Sequence, residues 1–591
     1  MTQNSNELPD SQPLSPAARF LWIALILSTL YFCYFYNLAA LGLVGPDEPR
    51  YAWIARDMQE TGDWITPRLY GKPWFEKPPL YYWSAALSFK LFGVSETTAR
   101  LPSAISALFA TLALAWLALC LYGAETARWL LLLLPTTVGM IGFSHAAATD
   151  MPFAATLTIA MVFAAKLLNL VPSVTPQSNS GTTSTSSRRS FTSFTPSFTS
   201  SPSLTSILFG LFLGLATLAK GPAAFILSGG AVLLWALFTK RWRDAVRCLH
   251  PAAIVSFCLT ALPWYILCAR RNPDFFHVFI IEHNFNRFLT PQFQHVQPFW
   301  FYIPILLVAF LPWTPLLVVS ASFGSFKIWH ERKLSPATSL FLCWSLFCLF
   351  FFSISKSKLP GYILPGIPAI GILLARCQVS LMPVFAKFFR ALLALFGLVF
   401  AASGVLLYRY LGRLHASPPT ATASRAVAFV LVSFALASWL LVLYKTRPDS
   451  HIPAAACCVL PVLLLAASIP KLLPAIFRYD PSGKTVAAEI SSTNVSSGLF
   501  VGPIPRGQYF SLNFYLHREM KEWDRTNPTK GYLLMPSRLC RLEVSPPWTC
   551  SVDPIELSKS GWFIYGVRPD SSPGGLGSGN AGNSLSNRQA R

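Results

Sequence analysis

Residues 45–93 read GPDEPRYAWIARDMQETGDWITPRLYGKPWFEKPPLYYWSAALSFKLFG and lie between two apolar segments. The stretch holds two acid-rich spots, Asp47-Glu48 and Glu76-Lys77, in a chain that has few charged residues overall. A proline follows the first spot and two prolines follow the second, and proline is favoured in the first turn of a helix. We therefore expect two short helices with carboxylates and cations held between them, a pattern that indicates a functional site.

The first helix is predicted to begin at Asp47-Glu48, with a carboxylate as its cap. Its apolar stripe at i, i+3, i+4 and i+7 consists of Tyr51, Ile54, Ala55 and Met58. The second helix, LYYWSAALSFKLF, ends at Gly93, and its aromatic residues suit a helix in the lipid headgroup layer. An Asp-Glu pair at a helix start can be no more than a cap, but the second acid-base pair nearby favours a functional role.

The composition places the chain in a membrane. Hydrophobic residues make up 53% of the 591 residues, charged residues only 12%, and the mean hydropathy is +0.46. A soluble protein would have about twice that share of charged residues. The formal net charge of +22 comes from cations scattered among short loops. Because they form no continuous basic stripe, no nucleic-acid partner is expected.

Long apolar runs separated by short polar loops predict an all-α polytopic membrane protein with about thirteen transmembrane helices. The predicted spans lie near 19–39, 101–121, 127–146, 151–170, 205–220, 222–239, 251–269, 299–323, 337–355, 361–376, 386–408, 425–444 and 453–472. Phe20–Asn37 is expected to be an uncleaved first span. The basic loops at 240–247, 327–333 and 445–447 fall on one face, which the positive-inside rule makes cytoplasmic. The first loop and the loop 270–298 are then outside.

The predicted domain organisation combines this membrane part with a small C-terminal extracytoplasmic α/β domain. A helical pattern at Thr485–Ile490 alternates there with short strand patterns near Gly498–Val501, Gly531–Leu534 and Trp562–Val567. The predicted regions are a cytoplasmic tail (1–18), the transmembrane domain (19–472, with a first outer loop at 40–100 and a low-complexity cytoplasmic loop at 172–204), the α/β domain (473–570) and a disordered tail (571–591). The Ser/Thr/Pro-rich loop is expected to be disordered, either as a tolerated insertion or as a regulatory segment.

The cysteines and histidines do not predict a metal site. Most of the twelve cysteines lie in or beside apolar segments, where they are expected to act as small packing residues. None has metal-ligand spacing with a histidine. Cys540 and Cys550 lie in the polar C-terminal region, where they either form a disulfide or remain two thiols. No cofactor is predicted to be required, and assistance by a divalent cation is left open.

The predicted topology brings polar residues from distant loops to the outer face. The set consists of Asp47, Glu48, Arg50, Tyr51, Glu76, Lys77, His145, Asp150, Lys220, Arg270, Arg271, His277, Glu282, His283, Asn284, Arg287, Lys356 and Lys358. Asp150 can equally be a helix cap. Lys356 and Lys358 are either ordinary snorkelling lysines or site residues, and their position away from the cytoplasm favours the second.

Several cations at the outer edge of a bilayer can hold a lipid phosphate. A nearby carboxylate can take a proton from an attacking group while the bond at a sugar's anomeric carbon breaks. The cations then stabilise the charge that develops on the leaving phosphate. A site of this kind transfers a sugar from a lipid-phosphate carrier.

One long motif carries a family resemblance. GPDEPRYAWIARDM, followed by GDWITPRLYGKPWFEKPPLYYW, resembles the first periplasmic loop of the bacterial aminoarabinose transferases, which belong to the protein O-mannosyltransferase superfamily of GT-C membrane glycosyltransferases. Further matches are ATDMPF (148–153), LAKGP (218–222), PWY (263–265) and SKSKLPGYILP (355–365). The resemblance spans roughly the first 375 residues, and the loop motif is long and specific.

The resemblance implies a GT-C fold and a transferase that uses a sugar on undecaprenyl phosphate at the periplasmic face of the bacterial inner membrane. Asp47 and Glu48 of the Asp-Glu motif are the predicted catalytic residues, and the resemblance makes Asp47 the essential acid. Arg50, Tyr51 and Lys77 would line the carrier-phosphate site, and Glu76, Asp150, Lys358 and Tyr362 would surround the cavity. The expected partners are the lipid-linked donor, membrane lipids and a lipid or protein acceptor such as lipid A.

Two features depart from that family pattern or leave it open. The insertion at 172–204 is foreign to it, and the last third of the chain matches far less distinctly, so the acceptor stays undecided. The alternatives are an enzyme like the protein O-mannosyltransferases and a transporter or flippase for lipid-linked sugars. A transporter predicts charges in the middle of spans and an internal repeat, and the sequence has neither pattern.

Overall fold

The structure is a computed structural model. It describes residues 15–171, 201–290, 296–321, 334–384, 386–413, 451–476, 481–493, 498–523 and 531–536, with shorter pieces between 425 and 436 and between 548 and 569. Two compact units, Met1–Arg478 and Tyr479–Arg591, make up the chain. Residues 172–200 of the loop predicted to be disordered and the tail 571–591 lie outside the described residues, as do the side chains of Cys540 and Cys550. The predicted end of that loop is wrong, because residues 202–204 form the first turn of a helix that Ser201 caps.

The first unit is helical. Its α-helices are α1 (Pro16–Tyr34), α2 (Asp47–Thr61), α3 (Leu80–Phe92), α4 (Glu96–Tyr122), α5 (Ala124–Leu133), α6 (Val138–Ser144), α7 (Asp150–Leu167), α8 (Pro202–Lys220), α9 (Ala223–Thr239), α10 (Trp242–Ala245), α11 (Pro251–Arg271), α12 (Arg287–Leu289), α13 (Tyr302–Ala309), α14 (Pro336–Ile354), α15 (Ile367–Val384), α16 (Ala386–Arg413) and α17 (His451–Ile476). A π-helix covers His277–Asn286, and 3-10 turns cover Val246–Leu249, Phe299–Phe301 and Pro360–Gly366.

Seven helical segments of the described chain are long and apolar enough to cross a membrane, against the thirteen spans that were predicted. They are α1, α4, α7, α8, α11, α14 and Pro360–Val379. The predicted span 127–146 is instead a pair of helices, α5 and α6, bent by 63° and counted as an eighth span if the pair is one crossing. Pro135 lies at this break, where it removes a backbone donor. The predicted span 299–323 is likewise interrupted after Ala309.

Helix α7 lies at the centre of the membrane unit. It packs against α4, α8 and the turn Pro360–Gly366, and most of its apolar side chains are buried. Because a helix that is apolar all round must be covered on every side, α7 is fixed by its neighbours. Its first residue, Asp150, is therefore held at a defined place.

Helices α8 and α11 approach each other closely through two glycines. A Cβ atom at Gly210 would lie 2.1 Å from the carbonyl oxygen of Ala253, and one at Gly214 would lie 2.7 Å from the side chain of Thr260. Glycines four residues apart let membrane helices make backbone contact. This contact sets the direction of α8, which ends at Lys220.

The two short helices predicted in the first loop are present. Helix α2 buries the predicted apolar stripe and ends at Gly62, and α3 ends at Gly93 as expected. The predicted carboxylate cap of α2 is wrong, because no side chain caps that helix and both carboxylates bind elsewhere. A hairpin of β1 (Arg68–Leu69) and β2 (Lys72–Pro73) joins the helices.

Most aromatic residues of α3 do not face the lipid headgroups as expected, and Phe92 is the exposed exception. Tyr81 and Tyr82 are fully buried, and the Tyr81 hydroxyl donates to the carbonyl of Ala99 at 2.9 Å. The exposed apolar residues of this helix are Leu87, Leu91 and Phe92. Because its tyrosines face inward, α3 forms one wall of the loop region.

The second unit contains both helices and strands. Its described elements are α18 (Lys484–Ser492), α19 (Arg506–Leu516), β3 (Leu499–Val501), β4 (Lys521–Glu522), β5 (Gly531–Met535), β6 (Trp548–Cys550), β7 (Ile555–Leu557) and β8 (Trp562–Pro569). The strand order is β4-β3-β5-β8-β6, with β7 also paired to β8. Strand β3 runs parallel to β4 and β5, whereas β8 is antiparallel to its partners.

Candidate active site

The site is built around an ion-pair chain that begins at Asp47. Arg50, one turn along α2, donates through Nη2 to Asp47 Oδ1 at 2.6 Å and lies 3.0 Å from Glu76 Oε2. Arg50 is buried under the ring of Trp74, whose centroid is 5.2 Å away. The Asp47 side chain is 49% exposed. Asp47 is therefore a carboxylate held by a buried cation yet open to a substrate.

Glu76 is the centre of the cluster. Besides Arg50, its carboxylate lies 3.9 Å from Lys77 Nζ and 3.5 Å from Arg287 Nη1. Burial alone would raise the pKa of Glu76, but Lys77, Arg50 and Arg287 lower it to about 2. Glu76 is thus ionised at neutral pH and keeps the surrounding cations in place.

Lys77 is a largely buried cation whose pKa is lowered. Burial and the positive charge of Arg287 lower the pKa of Lys77 to about 8, although Glu76 acts in the opposite direction. Arg287 also interacts with the side chain of Tyr362. An additional negative group would relieve the repulsion between these cations, as expected of a phosphate-binding site.

A second ion pair borders the same cluster. Lys220, the last residue of α8, donates to Asp150 Oδ1 at 2.5 Å, and its Nζ lies 5.0 Å from the centroid of the Tyr362 ring. Asp150 lies in the first turn of α7 but makes no capping bond. Its alternative interpretation as a simple cap is therefore wrong. Tyr362 links this pair to Arg287.

Close packing fixes these groups. Phe75 stacks edge-on against Phe275, with ring centroids 5.3 Å apart, which ties the residue before Glu76 to the segment after α11. Gly221 follows Lys220 with φ +81°, and a Cβ atom there would lie 2.8 Å from the ring of Phe279. Position 221 therefore favours glycine for two reasons: the backbone is left-handed, and a side chain would collide with Phe279.

A cavity of about 470 Å³ opens beside Glu76. Its lining comes from the first loop and from the segment after α11: Pro73, Trp74, Phe75, Glu76, Arg271, Asn272, Pro273, Asp274, Val278 and His283. The Tyr82 hydroxyl is buried close to Glu76 and has no hydrogen-bond partner among the described residues. Burial and the charge of Glu76 raise its pKa, so it stays a donor. A buried donor of this kind is suited to a substrate oxygen.

Glu48 does not share the environment of Asp47. It is 7% exposed, and its two carboxylate oxygens accept hydrogen bonds from Arg100 and from the backbone amides of Val44 and Ala147. These donors occupy the lone pairs that a proton acceptor would need. The geometry does not fit the catalytic role predicted for Glu48.

Three predicted cations are not joined to the acidic cluster by any contact among the described residues. Arg270 and Lys356 are exposed, and Lys358 Nζ donates to the carbonyls of Gln297 and Ser355. The prediction failed for Arg270 because α11 turns that side chain outward. The neighbouring Arg271 pairs with Asp63 instead.

The structure gives a place in the cluster to residues for which the sequence predicted no specific role. Arg287 and His283 belong to the predicted outer-face set, and both lie near Glu76: Arg287, the first residue after the π-helix, is 3.5 Å from its carboxylate, and His283 lies within the π-helix. Arg100, at the start of α4, looks in sequence like an ordinary span-end cation. Their only sequence signal is a cation near an outward helix end, which Arg270 and Lys356 share. In the described part of the chain no group of three or more His, Cys, Asp or Glu residues could hold a metal ion.

Comparison with known proteins agrees with this geometry. The family model described as dolichyl-phosphate-mannose-protein mannosyltransferase matches residues 20–279. The chain is 32% identical over 430 residues to the undecaprenyl phosphate-α-4-amino-4-deoxy-L-arabinose arabinosyl transferase of Enterobacter sp. (strain 638), covering 72% of each chain. It is 30% identical over 456 residues to the enzyme of the same name from Erwinia tasmaniensis, covering 76% of each.

This chain belongs to the aminoarabinose transferase (ArnT) family of membrane glycosyltransferases. The crystal structure of ArnT from Cupriavidus metallidurans bound to undecaprenyl phosphate has the same fold, with a TM-score of 0.72 at 23% identity, and the match covers 92% of this chain and 97% of that one. Its apo form matches with a TM-score of 0.70. The family resemblance drawn from the first loop is confirmed.

Proposed function

We propose that this ArnT-family enzyme transfers a sugar of the aminoarabinose type from undecaprenyl phosphate to an acceptor such as lipid A. The observation that carries the proposal is the continuous polar network from Asp47 through Arg50 and Glu76 to the cations Lys77 and Arg287. It combines an accessible carboxylate with a phosphate-binding group of cations. The names of the relatives supply the identity of the donor and of the sugar.

The phosphate of the carrier is proposed to bind between Lys77, Arg287 and Lys220, with the Tyr362 hydroxyl as a further donor. The cations come from the first loop, the π-helix segment and the end of α8, so the phosphate itself would join three parts of the chain. Glu76 offsets part of their charge in the empty site and lies beneath them. Charge-assisted bonds to a phosphodiester are stronger than neutral ones, which favours this arrangement.

Asp47 is proposed to act as the general base. It takes the proton from the acceptor group while that oxygen attacks the anomeric carbon from the face opposite the carrier. The bond between the anomeric carbon and the phosphate oxygen breaks, and its electron pair leaves with undecaprenyl phosphate. Lys77 and Arg287 stabilise the added negative charge on the leaving phosphate. A single displacement of this kind inverts the anomeric configuration.

The placement in the cell is part of the proposal. The site faces the periplasm and the chain lies in the bacterial inner membrane, with about thirteen crossings and an extracytoplasmic C-terminal α/β domain. The distribution of charged residues between the two ends of the helical unit supports this orientation. Asp150 and Lys220 meet at one end, whereas Asn169 and Asp244, which follow α7 and α9, meet at the other at 3.0 Å. The basic loop Lys240–Arg247 is thus at the end opposite the site.

The test is mass spectrometry of lipid A and of surface glycans from the native bacterium with and without this protein. We expect the sugar on lipid A to disappear on deletion, to return with the wild-type chain and not with Asp47→Asn. Glu60→Gln is the matched control, since Glu60 lies on the same helix but is exposed and pairs with Arg56. Unchanged lipid A together with loss of sugar from a protein would establish a protein acceptor and refute the lipid assignment.

A further inference from the structure

Arg100 is a buried arginine whose donors are taken up by two carboxylate oxygens and three carbonyls. Its Nε and Nη2 donate to Glu48 Oε1 and Oε2 at 2.9 and 2.7 Å. Nη1 donates to the carbonyls of Leu38 and Leu41 at 2.7 Å each, and Nη2 also reaches the carbonyl of Gly42 at 2.9 Å. The Arg100 guanidinium therefore binds three backbone carbonyls of the segment between α1 and α2 and fixes its path.

Glu48 extends the same arrangement to another part of the chain. Its Oε2 accepts from the amide of Val44 at 2.9 Å, and its Oε1 accepts from the amide of Ala147 at 2.8 Å. Ser103, one turn after Arg100, donates to the carbonyl of Ala146 at 2.7 Å. The pair thus joins the start of α2, the start of α4 and the segment that leads into α7.

These segments carry the two carboxylates at the edges of the site. Asp47 immediately precedes Glu48. Asp150, the first residue of α7, follows Ala147 by three residues. We propose that Glu48 and Arg100 are positioning residues, a buried pair that holds Asp47 and Asp150 at their working separation. This inference rests on the proposed function in taking Asp47 as the base.

A positioning role follows from the bonding of Glu48. A carboxylate that already accepts from a bidentate arginine and two amides has no lone pair directed at a substrate. Removing one partner of a buried ion pair leaves an uncompensated charge, so the surrounding segments must move. Small displacements of a catalytic group lower the rate steeply, by about 10²-fold for 1 Å.

The experiment compares Arg100→Lys and Glu48→Gln in purified enzyme, with transfer measured per molecule of folded protein. Lysine keeps the charge but has one nitrogen, which cannot reach both Glu48 oxygens and the carbonyls of the turn. We expect turnover to fall about 10- to 100-fold. The KM for the donor should stay close to wild type because Lys77 and Arg287 are unchanged. The double variant should lose no more than the worse single one, since both act through the same contacts.

Arg56→Gln is the matched control, because Arg56 lies on the same helix and its ion pair with Glu60 does not involve Glu48 or Arg100. A purely structural pair would lower yield and melting temperature without lowering turnover of the folded fraction. Ser103→Ala, a milder change in the same contact region, is expected to lower turnover by a smaller factor and serves if Arg100→Lys does not fold.

Two results would overturn the inference. One is folded Arg100→Lys, or Ser103→Ala where that is the variant that folds, turning over at the wild-type rate. The other is a large loss in Glu48→Gln while Arg100→Lys stays active, which would assign chemistry to Glu48 itself. The proposed function is tested separately, because transfer that survives Asp47→Asn would refute it whatever the positioning variants do.

Discussion

At the residue scale, the site depends on cations that are held close together before any substrate binds. Lys77 lies near Arg287 and Lys220, and Glu76 and Asp47 oppose the effect of these cations on it. The lowered pKa of Lys77 reflects its burial first and then this crowding of cations. A bound phosphate would lower the repulsion, so part of the affinity for the carrier comes from relieving it.

We predict that donor binding weakens as the pH rises through about 8, where free Lys77 loses its proton. Below that pH the lysine is charged and can hold the phosphate, whereas above it binding must include uptake of a proton. The KM for the lipid-linked donor, measured from pH 6.5 to 9.5, should rise on the alkaline side. Lys77→Arg should abolish this rise, because arginine stays protonated. If the KM of that variant still rises at alkaline pH, a group other than Lys77 titrates and the prediction is contradicted.

At the element scale, close helix contacts decide where the charged ends lie. Gly210 on α8 allows backbone contact with α11, and α8 delivers Lys220 to Asp150. Gly361, in the turn before α15, leaves room for Asp150 itself. A Cβ atom there would lie 2.9 Å from the ring of Phe143 and 3.0 Å from Asp150 Oδ1.

We predict that Gly210→Ala destabilises the folded protein by about 1–3 kcal/mol, because the added methyl group overpacks the α8–α11 contact. Thermal unfolding in detergent measures the effect. The matched control is Gly229→Ala on α9, where no heavy atom lies within 4 Å of the new methyl position. Equal melting temperatures for the two variants would contradict the α8–α11 packing.

We also predict that Gly361→Ala lowers turnover more than it lowers stability. Its methyl group meets Asp150, so the Asp150–Lys220 pair must shift while the rest of the fold remains. Turnover per folded molecule and the melting temperature are measured on the same preparation. Gly142→Ala is the control, since its methyl group would meet nothing within 4 Å. A drop in melting temperature with full turnover would argue against this placement of Asp150.

Much of the site could be predicted at this scale from sequence alone. Asp47, Glu76, Lys77, Asp150 and Lys220 interrupt or end apolar segments, and burial of such residues has a high cost unless they pair. The sequence alone could not show which of the neighbouring cations contact Glu76, because that depends on the geometry of the helices that carry them. Arg287, directly after the π-helix, lies 3.5 Å from Glu76, whereas Arg270 at the end of α11 is exposed. The role of Glu48 depends on Arg100, a partner distant in sequence that periodicity does not reveal.

At the scale of the whole molecule, the charged groups separate to two ends of the helical unit. The site cluster occupies one end, and Arg241, Asp244 and Arg247 are joined at the other. In the described part of the chain, Pro135 and the region after Ala309 break two apolar runs that composition alone treats as continuous. Hydropathy therefore predicts membrane residence better than it predicts helix continuity.

We predict that the two ends lie on opposite sides of the membrane, with Lys72 outside and Arg243 inside. Both residues are exposed, so single cysteines placed there in a background without native cysteines can be labelled. Lys72→Cys should react with a membrane-impermeant maleimide once the outer membrane is opened. Arg243→Cys should react only after the inner membrane is permeabilised. Labelling of both from one side would contradict the proposed orientation.

The central claim is that Asp47 and the cations around Glu76 form one sugar-transferring site. Its most direct test is transfer of a radiolabelled aminoarabinose from undecaprenyl phosphate to lipid A by the purified enzyme. Wild type and Glu60→Gln are predicted to transfer label, whereas Asp47→Asn should be slower by about 10²–10⁴-fold, the range for loss of a general base. Lys77→Ala should bind the donor more weakly. Transfer by folded Asp47→Asn at the wild-type rate would contradict the account.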